Sequence, residues 1–508
     1  MGGGGFGLGV RIYRFLEWHL PPSLFAPISG LRLRMFKAPK RKIPSRKDVT
    51  VERIDESSWR ISGSVFDQDC GYQIRVSGKG WYRNIDIDDL EEDRFSPTIS
   101  VISGYKLRFY LSTKEYNPAM DRCVYLGKIG PNTGLRLRYA DQAGMECHIG
   151  VSDPSESSIP TEVPAVLFIH HVWRGGSTNY LNAKVSEIIE KGGVAMVASE
   201  DDGTFSLRCS YRNSTEIWLF DSMDAMFDGV SRFAVSEAVV NEATSFSDPQ
   251  ALLDRLVFLK RDMGVKLIHL LHDYHCICPS FLLLDNSDRF CRPCSDTGKC
   301  RECFDRNPNK VISFSSEDEW RRMWGYFLRE CEEVRAFSDS SLSIMGSVYG
   351  KMGNETLVPH TVKDMRKVDR QKCSDGLTVA VLGDMMKQKG SEIIREMCRS
   401  SASEGITLIH YGVTYCEPIA GLVEKGPYRR DELPDLMEND GVDIVLIPSV
   451  WPETFSYTAE EAMQMGMPLA VFDIGAPAER VKGYDAGMII PEMSAESAIG
   501  TLLSMKGL

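Results

Sequence analysis

One segment near the C-terminal end, residues 443–480, constrains the fold more than any other part of the chain. It reads DIVLIPSVWPETFSYTAEEAMQMGMPLAVFDIGAPAER. Its two short apolar runs, Ile444–Ile447 and Leu469–Phe472, have the composition of strands that are buried on both faces. The residues between them predict a helix over 458–465, with Thr458 as its N-cap and a glycine and a proline ending it. The segment therefore predicts a βαβ crossover in a parallel α/β sheet.

The loop that follows the first of these strands carries groups suited to a nucleotide sugar. Glu453 lies in the loop and Glu461 lies eight positions later, on the predicted helix. The backbone amides from Thr454 to Tyr457 precede the helix N-terminus, which attracts anions. One carboxylate for sugar hydroxyls, amides for a diphosphate and a second carboxylate for ribose hydroxyls are the groups that such a ligand needs. An isolated pair of glutamates at this spacing would more often be solvated or helix-capping.

The stretch PSVWPETFSYTAEEAMQMGMPLAVFDIGAPAER resembles the donor-site segment of retaining family 4 glycosyltransferases of the GT-B fold, particularly the bacterial enzymes that build polysaccharides. The strand, the WPE loop, the helix, the G-x-P turn and DIGAPAER occur in the same order and register. The resemblance implies that Glu453 is catalytic and holds the transferred sugar. It also implies that Thr454, Phe455 and Ser456 bind the donor diphosphate and that Glu461 binds its ribose.

A second stretch, LFIHHVWRGGSTNYLNAKVSEIIEKGGVAMV, is similar to the opening of the N-terminal Rossmann-like domain of the same family. It predicts a strand over 165–171, a helix over 178–190 and a strand over 194–198. Gly175 and Gly176 lie at the turn between the first strand and the helix, where glycine lets the backbone approach a donor.

A histidine follows another predicted strand, residues 265–271, which comes after a predicted helix over 251–263. The sequence there is His272-Asp273-Tyr274, which matches the place where the family has a histidine beside the transferred sugar. The resemblance therefore implies a catalytic role for His272. The alternative is a histidine that is hydrogen-bonded within the loop.

The loop GDMMKQKG, residues 383–390, begins the second Rossmann-like domain after a predicted strand over 377–382. Its Lys389 matches the lysine with which the family binds the donor diphosphate as a point charge. The family commonly has an arginine directly after the first glycine, where this chain has Asp384. One expected cation is therefore missing, and Lys387 is a candidate to replace it.

Six of the fourteen cysteines lie within residues 276–303. In a reducing compartment, buried thiols and metal ligands are expected before disulfides. The resemblance points to four of them as ligands of a structural Zn²⁺ ion, while Cys294 could substitute for any one and free thiols or a redox pair are the alternatives. These four are Cys278, Cys291, Cys300 and Cys303. A site with four thiolates leaves no open position, so no catalytic metal is predicted.

The N-terminal part has a different character from the rest. The chain carries a net charge of −12, which argues against nucleic acid as the main partner, yet residues 1–47 contain ten Lys or Arg and one acidic residue. Aromatic and basic residues interleaved in this way could lie on an anionic membrane surface, or the extension could be packed or solvated. No apolar run reaches the length of a membrane span and no secretory signal is evident, so we expect a cytoplasmic protein, with peripheral contact at the inner face of the membrane as an option.

The alternation of predicted elements gives the domain organisation. Short β-rich segments between residues 48 and 155 predict a small antiparallel sandwich, and an amphipathic helix is predicted over Trp320–Phe337. We assign residues 1–47 to a basic amphipathic extension, 48–155 to a β-rich accessory domain, 163–360 to an N-terminal Rossmann-like domain, and 377–508 to a C-terminal Rossmann-like domain.

The sequence thus predicts an α/β protein of the GT-B class, with two Rossmann-like domains facing a cleft behind a small β-sandwich-like domain. The resemblance implies that a hexose is moved with retention from a nucleoside-diphosphate sugar to a hydroxyl of a surface-polysaccharide or glycolipid acceptor. A zinc-clipped scaffold without catalytic activity is the alternative. A nicotinamide-dependent oxidoreductase is disfavoured because no G-x-G-x-x-G follows either first strand.

Overall fold

The computed structural model describes strands between residues 49 and 150 and most of the chain from 157 to 506. The gaps after residue 157 are at 158, 172–175, 202, 213, 221, 294–296, 308–310, 313, 363, 371–375, 401 and 403–404. The chain divides into two compact units. Unit 1 comprises Met1–Trp173 and Leu181–Lys266, and unit 2 comprises Arg174–Tyr180 and Leu267–Leu508.

Unit 1 begins with the β-rich strands that the sequence predicts. In chain order they are β1 (Val49–Arg53), β2 (Ser58–Gly63), β3 (Tyr72–Gly78), β4 (Trp81–Asp86), β5 (Thr98–Ser103), β6 (Leu107–Thr113), β7 (Val124–Ile129), β8 (Thr133–Ala140) and β9 (Met145–Gly150). Strands β1, β2, β9, β8 and β5 pair in that order, and β4, β3, β6 and β7 form a separate sheet. All of these pairings are antiparallel.

The second part of unit 1 is an α/β layer. Its elements are β10 (Ala165–Ile169), α1 (Gly176–Glu190, of which residues 176–180 belong to unit 2), β11 (Val194–Asp201), β12 (Thr204–Tyr211), β13 (Ser214–Phe220), α2 (Met223–Val230), β14 (Val235–Val240) and α3 (Pro249–Met263). Strand β10 pairs in parallel with β11 on one side and with β14 on the other. The hairpin of β12 and β13, for which the sequence analysis made no prediction, continues this sheet, and β13 pairs in parallel with β5.

Unit 2 begins with a small parallel sheet. Its elements are β15 (Lys266–Leu270), α4 (Thr297–Arg306), α5 (Glu317–Glu330), β16 (Glu333–Ala336), α6 (Asp339–Tyr349) and β17 (Glu355–Leu357). The predicted helix over Trp320–Phe337 is wrong at its C-terminal end. Cys331 adopts an extended backbone conformation, and the residues after it form β16, in which Val334 and Ala336 are buried. Cys331 and Val334 continue the three- and four-residue apolar spacing of α5, so the sequence did not separate the helix from the strand.

The C-terminal part of unit 2 contains a six-stranded parallel sheet in the order β20-β19-β18-β21-β22-β23. Its elements are β18 (Leu377–Leu382), α7 (Ser391–Arg399), β19 (Ile406–Tyr411), β20 (Val423–Gly426), α8 (Leu433–Asn439), β21 (Ile444–Ile447), α9 (Tyr457–Gln464), β22 (Leu469–Phe472), α10 (Gly475–Val481), β23 (Gly487–Ile490) and α11 (Ala495–Ser504). Alternate residues of β18 belong to different cores. Val379 and Val381 pack into one, whereas Ala380 and Leu382 pack into the other. Side chains of a strand alternate between its two faces, so helices cover both faces of this sheet.

The two predicted strands of the 443–480 segment have the predicted bounds, but the helix between them begins one residue earlier than predicted. Ser456, not Thr458, is the N-cap, and its hydroxyl accepts a hydrogen bond from the Ala459 N–H at 3.4 Å. Both residues are good N-cap types, so the sequence alone did not distinguish them.

The predicted α/β class, with Rossmann-like parallel sheets, is confirmed by this topology. The domain boundaries proposed from the sequence stay a prediction. The basic extension 1–47 lies outside the described residues. Among the described residues, none of the helices combines the length and apolar character needed to cross a bilayer.

Candidate donor-binding site

Two loops meet at the carboxyl ends of β18 and β21, which are neighbours in the sheet. Gly390 ends the first loop with φ +85°, and a Cβ at this position would lie 2.0 Å from the carbonyl oxygen of Pro448 in the second loop. The Val450 N–H also donates a hydrogen bond to the carbonyl oxygen of Gln388 at 3.0 Å. Only glycine permits so close an approach of the two backbones, and this approach determines where Lys389 lies.

The approach brings Lys389 and Glu453 into direct contact. Lys389 Nζ lies 2.7 Å from Glu453 Oε1, and the Ser449 hydroxyl donates a hydrogen bond to the same oxygen. The Glu453 side chain is 3% exposed, whereas that of Lys389 is 35% exposed. A carboxylate this buried requires a cation or hydrogen-bond donors, and the lysine supplies the cation while remaining accessible to a ligand. The ring of Trp451 lies near the same ammonium group, with its centroid 5.8 Å from Nζ.

The backbone at Glu453 is also packed from the side of α10. Gly475 has φ +65°, and a Cβ there would lie 2.6 Å from the Glu453 nitrogen. The Ala476 N–H donates a hydrogen bond to the Glu453 carbonyl oxygen at 2.8 Å. The loop conformation at Glu453 is thus held by contacts with residues that follow β22.

The side chains of the predicted diphosphate loop are engaged within the protein. The Thr454 hydroxyl donates to the carbonyl oxygen of His272 at 2.8 Å, Phe455 is buried, and Ser456 caps α9. The Tyr274 hydroxyl donates to the carbonyl oxygen of Pro452 at 2.8 Å. The backbone amides of this loop, rather than its side chains, are therefore the groups that could bind a diphosphate.

His272 lies in an aromatic cluster. Its ring stacks on Phe337 with a centroid separation of 4.5 Å and lies 5.2 Å from the ring of His360 at an interplanar angle of 16°. The ring of Tyr180 contacts it edge-on at 5.1 Å. Burial lowers the pKa of His360 to about 3, so this imidazole is neutral at physiological pH. The sequence did not indicate that His360, Phe337 and Tyr180 lie beside His272.

Glu461 belongs to a second cluster. It is buried, and its Oε1 accepts a hydrogen bond from Arg430 Nε at 2.9 Å. Burial raises the pKa of Glu461, while the Arg430 charge and hydrogen bond oppose this shift. Burial of part of the Tyr428 side chain raises its pKa, and the nearby Glu461 and Asp384 carboxylates add to this shift. Sequence analysis missed Arg430, although it stands in a Tyr-Arg-Arg run just before α8.

Lys387, the candidate replacement for the missing arginine, is largely exposed and pairs with Asp288 at 3.0 Å. In this structure its charge is thus neutralised by Asp288. Lys389 provides the ammonium group that contacts Glu453.

Comparison with known proteins identifies the segment that contains both glutamates. Residues 425–505 match the family model described as "Glycosyl transferases group 1". This segment is similar to group 1 glycosyltransferases. The predicted kinship with glycosyltransferases is confirmed at this level, whereas membership of family 4 and retention stay predictions. No curated protein matches the chain.

Solved glycosyltransferase structures resemble the chain at low sequence identity. Anabaena HepE in complex with UDP has a TM-score of 0.46 at 13% identity, over 67% of this chain and 89% of that one. Sucrose-phosphate synthase from Thermosynechococcus elongatus has a TM-score of 0.45 at 13% identity, over 68% and 89%. A mutant of S. aureus TarM has a TM-score of 0.40 at 11% identity, over 98% of this chain and 79% of that one.

The group 1 glycosyltransferase match includes Glu453, Glu461 and the loop between them, but Lys389 and His272 lie outside it. In the structure both residues contact the matched segment. Lys389 contacts Glu453, and the carbonyl oxygen of His272 accepts a hydrogen bond from the Thr454 hydroxyl. The roles of these residues stay predictions.

The predicted glycine turn before α1 is only partly described. Gly175 lies outside the described residues. Gly176 is the first residue of α1, and a Cβ there would lie 2.9 Å from the ring of Tyr457, the first residue of α9. The glycine thus makes room for a protein side chain, and its predicted contact with the donor stays a prediction.

The predicted zinc ligands lie on and around the loop after β15. The Cys278 sulfur accepts from the Ser280 N–H at 3.4 Å, and burial raises the pKa of this thiol to about 12, with Cys300 and Cys303 adding to the shift. Cys291 is exposed, and Cys294 lies outside the described residues. In the described part of the chain, no three cysteines converge as metal ligands do, and the group that does so is His170, His171 and Glu242. The zinc site stays a prediction.

Proposed function

We propose that this protein is a retaining glycosyltransferase that moves a hexose from a nucleoside-diphosphate sugar to a hydroxyl of a surface-polysaccharide or glycolipid acceptor. One observation carries the proposal: the 2.7 Å contact between Lys389 and the buried Glu453, made by two adjacent strand ends of a parallel sheet. Ligands of open α/β sheets bind at such carboxyl ends. The group 1 glycosyltransferase match over 425–505 supports glycosyl transfer as the reaction class.

In this proposal the donor diphosphate binds between the Lys389 ammonium group and the backbone amides around Thr454–Ser456. These donors are fixed before the reaction, because Gly390 holds Lys389 in place and the Ser456 cap fixes the start of α9. Negative charge that develops on the departing diphosphate would meet a preorganised cation and dipoles, which is usually the largest single contribution to catalysis.

The two glutamates would hold the two ends of the donor. Glu453 Oε1 is engaged by Lys389 and Ser449, so Oε2 would accept hydrogen bonds from the sugar hydroxyls. Glu461, oriented by Arg430, would accept hydrogen bonds from the ribose hydroxyls. Both carboxylates therefore fix the sugar relative to the diphosphate, which lowers the entropic part of the barrier.

His272 would lie beside the transferred sugar. The hydrogen bond from Thr454 to its carbonyl oxygen and the stacking on Phe337 fix its position relative to the diphosphate loop. Retention is proposed from the resemblance alone. We assign no protein nucleophile, because in a front-face displacement the acceptor oxygen bonds to the anomeric carbon on the side from which the diphosphate leaves.

We also propose that Cys278, Cys291, Cys300 and Cys303 hold a structural zinc ion. Four thiolates suit zinc chemically, and the metal would add to hydrogen bonds that anchor the loop, such as the one from the Trp320 indole N–H to the carbonyl oxygen of His275 at 2.8 Å. This metal takes no part in the proposed reaction.

The test compares Glu453→Gln with Glu492→Gln. Glu492 is a control because it is exposed and lies just after β23 of the same sheet. The donor is first identified by thermal shift with UDP, GDP, dTDP and ADP sugars, and transfer is then assayed with the sugar that stabilises the protein. We expect the Glu453 variant to lose at least about 100-fold in rate and the control to remain active. Undiminished transfer by the Glu453 variant would discard the catalytic assignment. If the unmutated protein transferred sugar from none of these donors, the alternative of a zinc-clipped scaffold without catalytic activity would be favoured.

A further inference from the structure

A polar cluster in unit 1 contains none of the residues assigned to the donor. It follows the ends of β10 and β14, which pair in parallel with Ile169 opposite Val240. The next residues along the two strands are His170 and His171 on one side and Asn241 and Glu242 on the other. The N–H groups of Asn241 and Glu242 both donate to the carbonyl oxygen of Ile169, at 3.0 and 3.1 Å. Backbone hydrogen bonds therefore fix Asn241 and Glu242 relative to the end of β10.

Three potential metal ligands converge there. His171 Nε2 contacts Glu242 Oε2, and His170 Nδ1 lies 3.9 Å from the same oxygen. The two imidazole centroids are 4.3 Å apart. One ligand atom from each of the three residues lies within 4.8 Å of the others. Two ligand atoms on a tetrahedral zinc ion are separated by about 3.4 Å, so small side-chain rotations would suffice to place an ion among them.

The three side chains are largely buried, so hydrogen bonds or charges must compensate for the water that they have lost. The side chains of His171 and Glu242 are 8% and 10% exposed, and that of His170 is 5% exposed. A divalent cation satisfies both neutral imidazoles and the carboxylate at once.

We propose that His170, His171 and Glu242 form a binding site for a divalent transition-metal ion of the zinc class. Two imidazoles with one carboxylate favour such ions over Mg²⁺ or Ca²⁺, which prefer oxygen ligands. Three protein ligands leave one position of a tetrahedral ion for water or another oxygen ligand. The ion would also tie the ends of β10 and β14 together. The site lies outside the 425–505 match and shares no residue with the donor site or with the cysteine-rich loop.

Metal content distinguishes this site from an ordinary ion pair. Wild type, Glu242→Gln and the control Glu237→Gln, which changes a carboxylate within β14, are loaded with Zn²⁺, desalted and analysed by elemental mass spectrometry. We expect Glu242→Gln to retain one equivalent less per chain than wild type and the control. Because the result is a difference, zinc held by cysteines in all three proteins cancels. Equal metal content in wild type and Glu242→Gln would overturn the proposal.

A measurement on the unmutated chain guards against a variant that fails to fold. X-ray absorption of protein saturated with Co²⁺ separates nitrogen and oxygen ligands from sulfur ligands. We expect a population of cobalt with nitrogen and oxygen ligands only. If all bound cobalt is sulfur-ligated, or if none is bound, the proposed site does not exist.

Discussion

Glu453 shows how a single buried charge depends on its neighbours. Its side chain is almost inaccessible, yet it lies against one cation, Lys389, and accepts a hydrogen bond from Ser449. Removal of one member of such a buried pair leaves the other without compensation, whereas removal of both can be nearly neutral. The pair should therefore be strongly coupled in stability as well as in function.

We predict that Lys389→Met destabilises the protein by about 1–3 kcal/mol, a range lowered to allow for the partial exposure of the lysine. The double variant Lys389→Met/Glu453→Gln should be more stable than Lys389→Met alone, because it contains no uncompensated carboxylate. Urea unfolding of the wild type, both single variants and the double variant measures the coupling energy. As a control, Lys425→Met breaks the more exposed pair with Asp440 and should cost less. Additive effects at positions 389 and 453 would contradict the predicted coupling.

At the scale of elements, the candidate site depends on loops rather than on the interiors of strands. The loop after β18 and the loop after β21 approach each other at Gly390 and Pro448, while Tyr274, in the loop after β15, donates to the Pro452 carbonyl oxygen. The strands place the beginnings of these loops, and backbone contacts between the loops fix the final positions of the ligand-binding groups. A change that separates the loops should therefore weaken ligand binding even where every charged residue remains.

We predict that Gly390→Ala weakens binding of the preferred nucleoside diphosphate by at least about 10-fold. Its matched control is Gly405→Ala. Both glycines have φ +85°, but a Cβ at Gly405 would meet no atom within 4 Å. The control should thus show only the backbone strain of about 1 kcal/mol, whereas Gly390→Ala must also displace the 448–450 loop. Calorimetric titration of both variants is the measurement, and equal affinities would exclude a role for this close approach.

At the scale of the whole molecule, unit 2 contains three histidines whose pKa values are lowered to about 3 by burial: the buried His269 and His275 and the partly buried His360. For His275, the neighbouring His269 adds a smaller contribution to burial. In the unfolded chain these groups would bind protons near pH 6.5. Between these values the unfolded state binds more protons than the folded state, so stability is lost as the pH falls from about 6.5 towards 3.

We predict that the free energy of unfolding decreases on acidification below pH 6.5, by up to about 1.4 kcal/mol per pH unit for each histidine. Urea unfolding at pH 7.0, 6.0 and 5.5 measures this slope above the range in which most carboxylates titrate. His360→Gln should reduce the slope by about one histidine's contribution, because glutamine does not titrate. The same slope in His360→Gln and wild type would show that His360 is protonated in the folded protein.

The sequence by itself determined the local secondary structure of the 443–480 segment and the turns that follow its strands. The bounds of β21 and β22 follow from four-residue apolar runs, each flanked by a residue that ends a strand, and all eight residues are buried. The positions of Lys389 and Glu453 in turns after strands were equally evident, because turn and strand signals depend on neighbours in the chain.

Tertiary structure alone decided which of these strands and side chains come into contact. It paired Glu461 with Arg430, placed His360 against His272, joined β13 to β5, and brought His170 and His171 to Glu242. Each contact joins residues that are far apart in the chain, so no local period or propensity encodes it. The burial that lowers the pKa of His360 and raises that of Glu461 likewise arises only when distant segments exclude water from these side chains.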